Sequence, residues 1–180
     1  MKLRDAEPPD AAAVAGLHAD SWRRHYRGAY ADSYLDSAEV DEDRLAVWTE
    51  RLARPRSAAT VVAEDGDGLA GFVHVVFDVD AVWGSLLDNL HVRHDRQRAG
   101  IGRTLMAVAV RAVTDAADRP AMFLWVLQQN TRAQEFYRAM GGECVERDVV
   151  PPPGGVPGRL NGEPQCYRFA WRQLSLAGSV

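Results

Sequence analysis

Apolar and polar positions along the chain follow two rhythms, one of period two and one of period 3.6, and together they predict seven strands and four helices. Residues 1–5 alternate as a short strand closed by Glu7-Pro8-Pro9. Asp10 then stands as an N-cap for a helix to about residue 26. Val14, Leu17, Ser21, Trp22 and His25 fall on one face of that helix, with Arg23, Arg24 and Arg27 largely opposite. A second helix, residues 41–53, carries Leu45, Trp48 and Leu52 at i, i+3, i+7 as its buried stripe, with Glu50 and Arg54 as an i,i+4 pair and Pro55 as its stop. Residues 60–64 and 69–78 read as strands joined by Asp65-Gly66-Asp67-Gly68, a hairpin signal. Residues 86–92 form another apolar run. Leu105, Met106, Ala109 and Val113 then mark one face of a helix that reaches about residue 117, where Asp118-Arg119-Pro120 breaks the pattern.

Residues 121–127 are apolar without alternation, the mark of a central strand covered on both faces. A helix over 132–140 ends at Gly141-Gly142. Strands over 143–150 and 165–171 flank a Pro/Gly loop, and the residues after Leu174 read as a frayed tail. With no repeat and no linker, residues 1–174 read as a single domain, and 180 residues suffice to bury a proper core.

Composition narrows the classes. The chain is 47% hydrophobic and 26% charged, with a net charge of −4, which argues against a protein that coats nucleic acid. No apolar run is long enough to span a bilayer, and MKLRDAEPPD lacks the apolar core of a signal peptide, so the expected location is cytoplasmic. Cys144 and Cys166 give neither a metal pattern nor a disulfide framework. A hairpin across the Pro/Gly loop could place them side by side, though two buried free thiols are the expected state.

Against this acidic background, Arg93, Arg96, Arg98 and Arg103 cluster around Ala99-Gly100-Ile101-Gly102, between a strand and a helix. The first turn of a helix presents unpaired N–H groups and the positive end of the dipole, and glycines let a ligand approach the backbone. That order suits the phosphate oxygens of a diphosphate. A tight structural turn is the other reading of the two glycines. The loop is not of the Walker type, because Arg103-Thr104 follows Gly102 where Lys and Ser/Thr are needed. Nor is it a dinucleotide fingerprint, since Leu105 occupies the third glycine position and the strand over 121–128 ends without an acid.

Trp22, Tyr26, Tyr30 and Tyr34 recur every four residues, either as core aromatics around a turn or as a wall over a small-molecule pocket; Gly28 and Asp32 keep them off a single helix. His74 reads as a satisfied strand residue. His91 and His94 lack the partners of a metal site.

Two motifs in order carry a resemblance. Gln97-Arg98-Ala99-Gly100-Ile101-Gly102 is followed 33 residues on by Asn130-x-x-Ala133-x-x-Phe136-Tyr137-x-x-x-Gly141. The pair resembles the GNAT superfamily of acyl-CoA-dependent N-acyltransferases. Ser21-Trp22-x-x-x-Tyr26-Arg27-Gly28 and Tyr167-x-x-x-Trp171 are similar to one bacterial branch, so the resemblance runs from about residue 1 to 171. It implies a mixed α/β fold: a mostly antiparallel sheet of about seven strands, splayed into a V between residues 86–92 and 121–127 and flanked by about four helices. It implies acetyl-CoA as co-substrate and no metal, with the pantetheine arm along Leu90 and Val92, the diphosphate on Gln97, Arg98, Ala99, Gly100, Ile101 and Gly102, and Asn130 fixing the arm. Tyr137 would protonate the thiolate leaving group. The acceptor would be a primary amine attacking directly in a ternary complex, in a pocket that includes Trp22, Tyr26 and Tyr30. The resemblance leaves a homodimer open.

One position departs from the family. Many relatives carry Glu eleven positions before the Gln/Arg of the loop, and here that residue is Leu86. An alkyl ammonium, with a pKa of about 10.4, needs a base or a desolvating site before it can attack a thioester. Asp88, two residues on and on the same strand face, is the candidate base; His91 is expected on the opposite face. The missing Glu also motivates an alternative, a non-catalytic acyl-CoA-binding or sensor domain. A nucleic-acid module using the arginine loop is a third class, disfavoured by net charge.

Overall fold

The computed structural model describes residues 1–54 and 57–174. Seven strands form one sheet: β1 (Lys2–Asp5), β2 (Ala58–Asp65), β3 (Gly68–Asp80), β4 (Gly84–Val92), β5 (Met122–Leu127), β6 (Glu143–Val149) and β7 (Gln165–Trp171), in the order β1-β2-β3-β4-β5-β7-β6. Every neighbouring pair is antiparallel except β4 and β5. Five helices accompany the sheet: α1 (Ala11–His25), α2 (Asp32–Leu35), α3 (Glu39–Ala53), α4 (Ile101–Ala116) and α5 (Thr131–Ala139). Four of them stand where the apolar periodicity predicts, and α2, a single turn carrying Tyr34, is the addition. No described helix is long and apolar enough to cross a membrane.

The parallel pair opens almost as soon as it forms. Only Ser85 with Met122 and Leu86 with Phe123 are in register. The junction is tight because Gly84 adopts φ +79° and Ser85 N–H reaches Ala121 O at 3.0 Å. Three residues on, β4 bulges: His74 faces Asn89 and Val75 faces Leu87, so Asp88 is the extra residue. A bulge bends and further twists the strand that carries it. By this point β4 has already parted from β5, and the sheet splays into the expected V.

Both faces of the sheet are covered. On one, Leu105, Met106, Ala109 and Val113 of α4 pack on Val73, Val75 and Leu87. On the other, Val14 and Leu17 of α1 and Trp48 and Leu52 of α3 pack on Val62 and Phe72. Trp22, Tyr30, Tyr34, Leu35 and Val40 form an aromatic-rich cluster over Leu127 and Cys166. All of β5 but Trp125 is buried, as its unbroken apolar run requires.

Several expectations are corrected by packing. Leu45 is 45% exposed, and the buried stripe of α3 runs through Val40, Trp48 and Leu52 instead. Arg54 and Glu50 are joined only by the helical backbone bond, with no ion pair between them among the described residues. Asp10 is the N-cap residue of α1 as expected, but its side chain makes no capping bond: its carboxylate accepts Glu7 N–H at 2.8 Å and holds Arg4. Cys144 and Cys166 lie in neighbouring strands yet face Phe169 and Asp148, so they are not opposite one another. Cys144 is exposed, whereas Cys166 is buried and its thiol is pushed up to about 11 by desolvation. Pro55 and the tail 175–180 lie outside the described residues.

Candidate active site

The split between β4 and β5 is a cleft of about 440 Å³. Its β4 wall offers backbone. Arg93 N–H bonds Ala70 O on the β3 side at 2.8 Å, so by alternation the N–H and C=O groups of Leu90 and Val92 point the other way, into the split. The chain then makes a 3-10 turn (His94–Arg96) and enters α4 through two left-handed residues, Arg98 (φ +66°) and Gly100 (φ +83°). The N–H groups of Arg98, Ala99, Gly100, Ile101 and Gly102 meet no acceptor among the described residues. A Cβ on Gly100 would meet nothing within 4 Å, so the loop faces open space. At the same rim, Gln97 Oε1 is buried without a hydrogen-bond partner. Unpaired amides at a helix start, beside an orphaned buried polar atom, fit an incoming diphosphate.

The arginine cluster divides in two. Arg96 pairs with Asp65, Asp67 and Asp95, and Arg93 with Asp95 and Asp67, so both tie the loop to the β2–β3 hairpin. Arg98 and Arg103 line the cleft instead, joined by Arg132 from α5, which the sequence did not single out.

The opposite wall is built from the end of β5. Asn130 is the N-cap of α5, its Oδ1 accepting Ala133 N–H at 3.2 Å, and it also lines the cleft. Its placement depends on two glutamines that the motifs did not mark. Gln134 Nε2 donates to Leu127 O and Gln128 O, pinning α5 to β5. Gln129 Nε2 donates to His25 O and Arg27 O, which brings the end of α1, and with it Tyr26, over the split. Nearly two turns beyond Asn130 on α5, Tyr137 lies among the rings of Phe136, Phe169 and Trp171. Burial first, and Tyr26 second, raise its pKa above the ordinary phenol value, so the hydroxyl stays protonated at neutral pH.

Asp88 joins this cleft to a second cavity of about 550 Å³. Its Oδ2 accepts from Arg51 Nη1 at 2.7 Å and from Asn89 Nδ2 at 2.6 Å. Tyr26 lines both cavities, and its phenol is pushed up to about 12 by burial and by the Asp88 carboxylate. Trp22 and Tyr30 are also in the second wall, so three of the four periodic aromatics meet there, and residues 148–151 of the Pro/Gly loop's entrance close it.

The bulge corrects one expectation about faces. Because Asp88 is an extra residue, the alternation shifts by one. His91 therefore lies on the α1 side with Asp88, its Nδ1 2.8 Å from Ser21 Oγ and its ring 4.7 Å from that of His18. Desolvation lowers its pKa to about 4, so it is a neutral imidazole.

These elements recur in known proteins. The acetyltransferase (GNAT) family profile matches residues 19–141. The uncharacterised N-acetyltransferase YuaI of Bacillus subtilis is 30% identical over 152 residues, covering 82% of this chain and 83% of that protein. Among solved structures, the PaiA N-acetyltransferase of Thermoplasma acidophilum, in complex with coenzyme A, superposes with a TM-score of 0.73 at 18% identity, over 95% of this chain and 98% of its own. YncA of Salmonella typhimurium, a putative acetyltransferase with its cofactor acetyl-CoA, gives 0.67 at 16% identity, over 100% and 97%. The last two show a shared fold; the profile and the Bacillus relative, taken with the loop and the split, show that the chain belongs to the GNAT family of acetyltransferases.

Proposed function

We propose that the protein transfers the acetyl group of acetyl-CoA to a primary amine, by direct attack with both substrates bound. The observation that carries this reading is the continuity of the cleft: the open backbone edge at Leu90 and Val92 runs into the unpaired amides of residues 98–102. An extended arm could add to that edge as a strand does. Its diphosphate would meet the loop amides, with Arg98, Arg103 and Arg132 screening its charge. The coenzyme A and acetyl-CoA found in the two structural relatives support the choice of ligand.

Bound acetyl-CoA supplies a thioester carbonyl open to an amine. The chain's own residues do the rest. Asn130 spends its Oδ1 on the helix cap and keeps its Nδ2 for the arm. Tyr137, held neutral, is the proton donor to the departing sulfur. Asp88, between the two cavities, attracts the ammonium and accepts its proton, while Arg51 fixes the carboxylate. Trp22, Tyr26 and Tyr30 form the acceptor's wall. A cytoplasmic setting, in which Cys144 and Cys166 remain thiols, belongs to the same reading.

Titration calorimetry with acetyl-CoA and CoA, followed by thiol release over a panel of amines, tests it. Micromolar binding and release with at least one amine are expected. Absence of binding up to millimolar cofactor removes the proposal, and binding without release from any amine favours an acyl-CoA sensor.

A further inference from the structure

The second cavity holds a cation with nothing to balance it. Arg44 sits at i+4 between Val40 and Trp48, within the stripe of α3 that faces the protein. Its guanidinium lies 4.2 Å from the centroid of the Trp22 ring, and its Nε is buried without a hydrogen-bond partner. Among the described residues it forms no ion pair. Its sequence neighbour Asp43 would be the natural partner, but that carboxylate is taken by Arg159 at 2.7 Å and by the Tyr34 hydroxyl at 2.9 Å. The other arginines of the cavity are neutralised, Arg51 by Asp88 at 2.7 Å and Arg168 by Glu146 at 3.1 Å.

A second donor stands in the same wall. Trp48 Nε1, which can only donate, bonds His18 Nδ1 at 3.0 Å, so the His18 proton resides on Nε2. Burial holds this imidazole neutral, and it too lines the cavity. The remaining carboxylate of the wall, Asp148, accepts its neighbour Val149 N–H at 2.7 Å. A half-buried cation and a neutral N–H donor thus stand in one wall, and among the described residues neither bonds an acceptor there. Unpaired buried charge is costly, and a bound anion relieves that cost.

We propose that the acceptor amine also carries an acidic group, an oxyanion seated on Arg44, with its amine directed to Asp88 and its apolar body against the aromatic wall. Amino acids and aminophosphonates are the substrate classes that fit. This rests on the acetyl-transfer reading above and names its acceptor. The opposed ends order the acceptor: Asp88 takes the ammonium and Arg44 the oxyanion. Polyamines, which present a cation at both ends, would meet Arg44 as a repulsive element.

The test compares matched amines in a thiol-release assay after acetyl-CoA binding has been measured separately: L-phenylalanine, its amide, phenethylamine and the corresponding aminophosphonate, with the leucine series beside them. A kcat/KM for the oxyanion-bearing member at least tenfold above its amide and its decarboxylated amine is expected, and the carboxylate and phosphonate arms say which acid is preferred. Arg44→Gln should erase that preference by raising KM for the acid, and Arg44→Lys should restore part of it; circular dichroism melts establish that each variant is folded. Where turnover is slow, the same ligands should raise the melting temperature of the CoA-saturated wild type and fail to raise that of Arg44→Gln. Equal or better turnover of amines without an acid, or a preference that survives Arg44→Gln, overturns the inference while leaving acetyl transfer intact. Failure to bind acetyl-CoA would instead remove the reading on which it rests.

Discussion

In the proposed mechanism Tyr137 and Asp88 meet different demands, and their surroundings differ accordingly. An acid for a thiolate must hold its proton at neutral pH; an ordinary phenol already does, and burial among Phe136, Phe169 and Trp171 raises the Tyr137 pKa further. Tyr137→Phe removes the proton and keeps the ring, so turnover should fall by roughly 10²-fold with the acetyl-CoA KM within about twofold; steady-state kinetics check both, and an unchanged kcat would leave Tyr137 as packing alone. Asp88→Asn should also lower kcat, with KM for the amine rising because Arg51 is left facing the ammonium. Asn130 and Tyr137 stood out in the sequence only through the motif that carries the family resemblance, since a helix cap and a core aromatic look the same locally; the structure brings both to the cleft. Arg44, Arg132, Gln129 and Gln134 did not stand out. Each matters through a partner distant in the chain, or through a partner already taken, and local pattern holds neither fact.

At the scale of elements, the cleft exists because two parallel strands touch at one end and part at the other. Gly84 is the hinge of that arrangement. Its φ of +79° suits glycine, and a Cβ there would overlap Ala121 O, the atom that Ser85 N–H binds. A left-handed non-glycine residue costs about 1–2 kcal/mol before any overlap is counted. Gly84→Ala should therefore lower the melting temperature by ~5 °C or more, given roughly 2–4 °C per kcal/mol for a domain of this size. It should also weaken acetyl-CoA binding, because β4 and β5 would part at the wrong place. A variant with wild-type melting and affinity would show that the junction tolerates a shifted β4. Strand identities here were readable from apolar rhythm, whereas the bulge at Asp88 was not: it inserts one residue without any glycine or proline to announce it. That single insertion put His91 on the face opposite to the one expected.

At the scale of the molecule, the fold hides several imidazoles and answers many of its carboxylates with arginines, and the two groups fail at different pH. His74, bonded to Thr60 Oγ1, and His91, bonded to Ser21 Oγ, are both lowered to about 4, mainly by desolvation. His18 is lowered as well, again by burial. In the unfolded chain each titrates near 6.5. Between those values the unfolded state binds more protons than the native one, so stability falls as pH drops from about 6.5 to about 4. Asp10, Asp41 and Asp65, each lowered chiefly by an arginine hydrogen bond, contribute stability that is present above about pH 4 and is lost only below it. The melting temperature should therefore be level from about pH 8 to 6.5, decline well before the carboxylates titrate, and then collapse. Differential scanning fluorimetry across pH 8 to 4 measures the curve, and His74→Gln, which keeps a hydrogen-bonding side chain opposite Thr60 but cannot charge, should flatten part of the first decline. A melting temperature constant down to about pH 4.5 would mean that the buried imidazoles are protonated within the native fold, and that the space around His18 and His91 admits a counter-charge already.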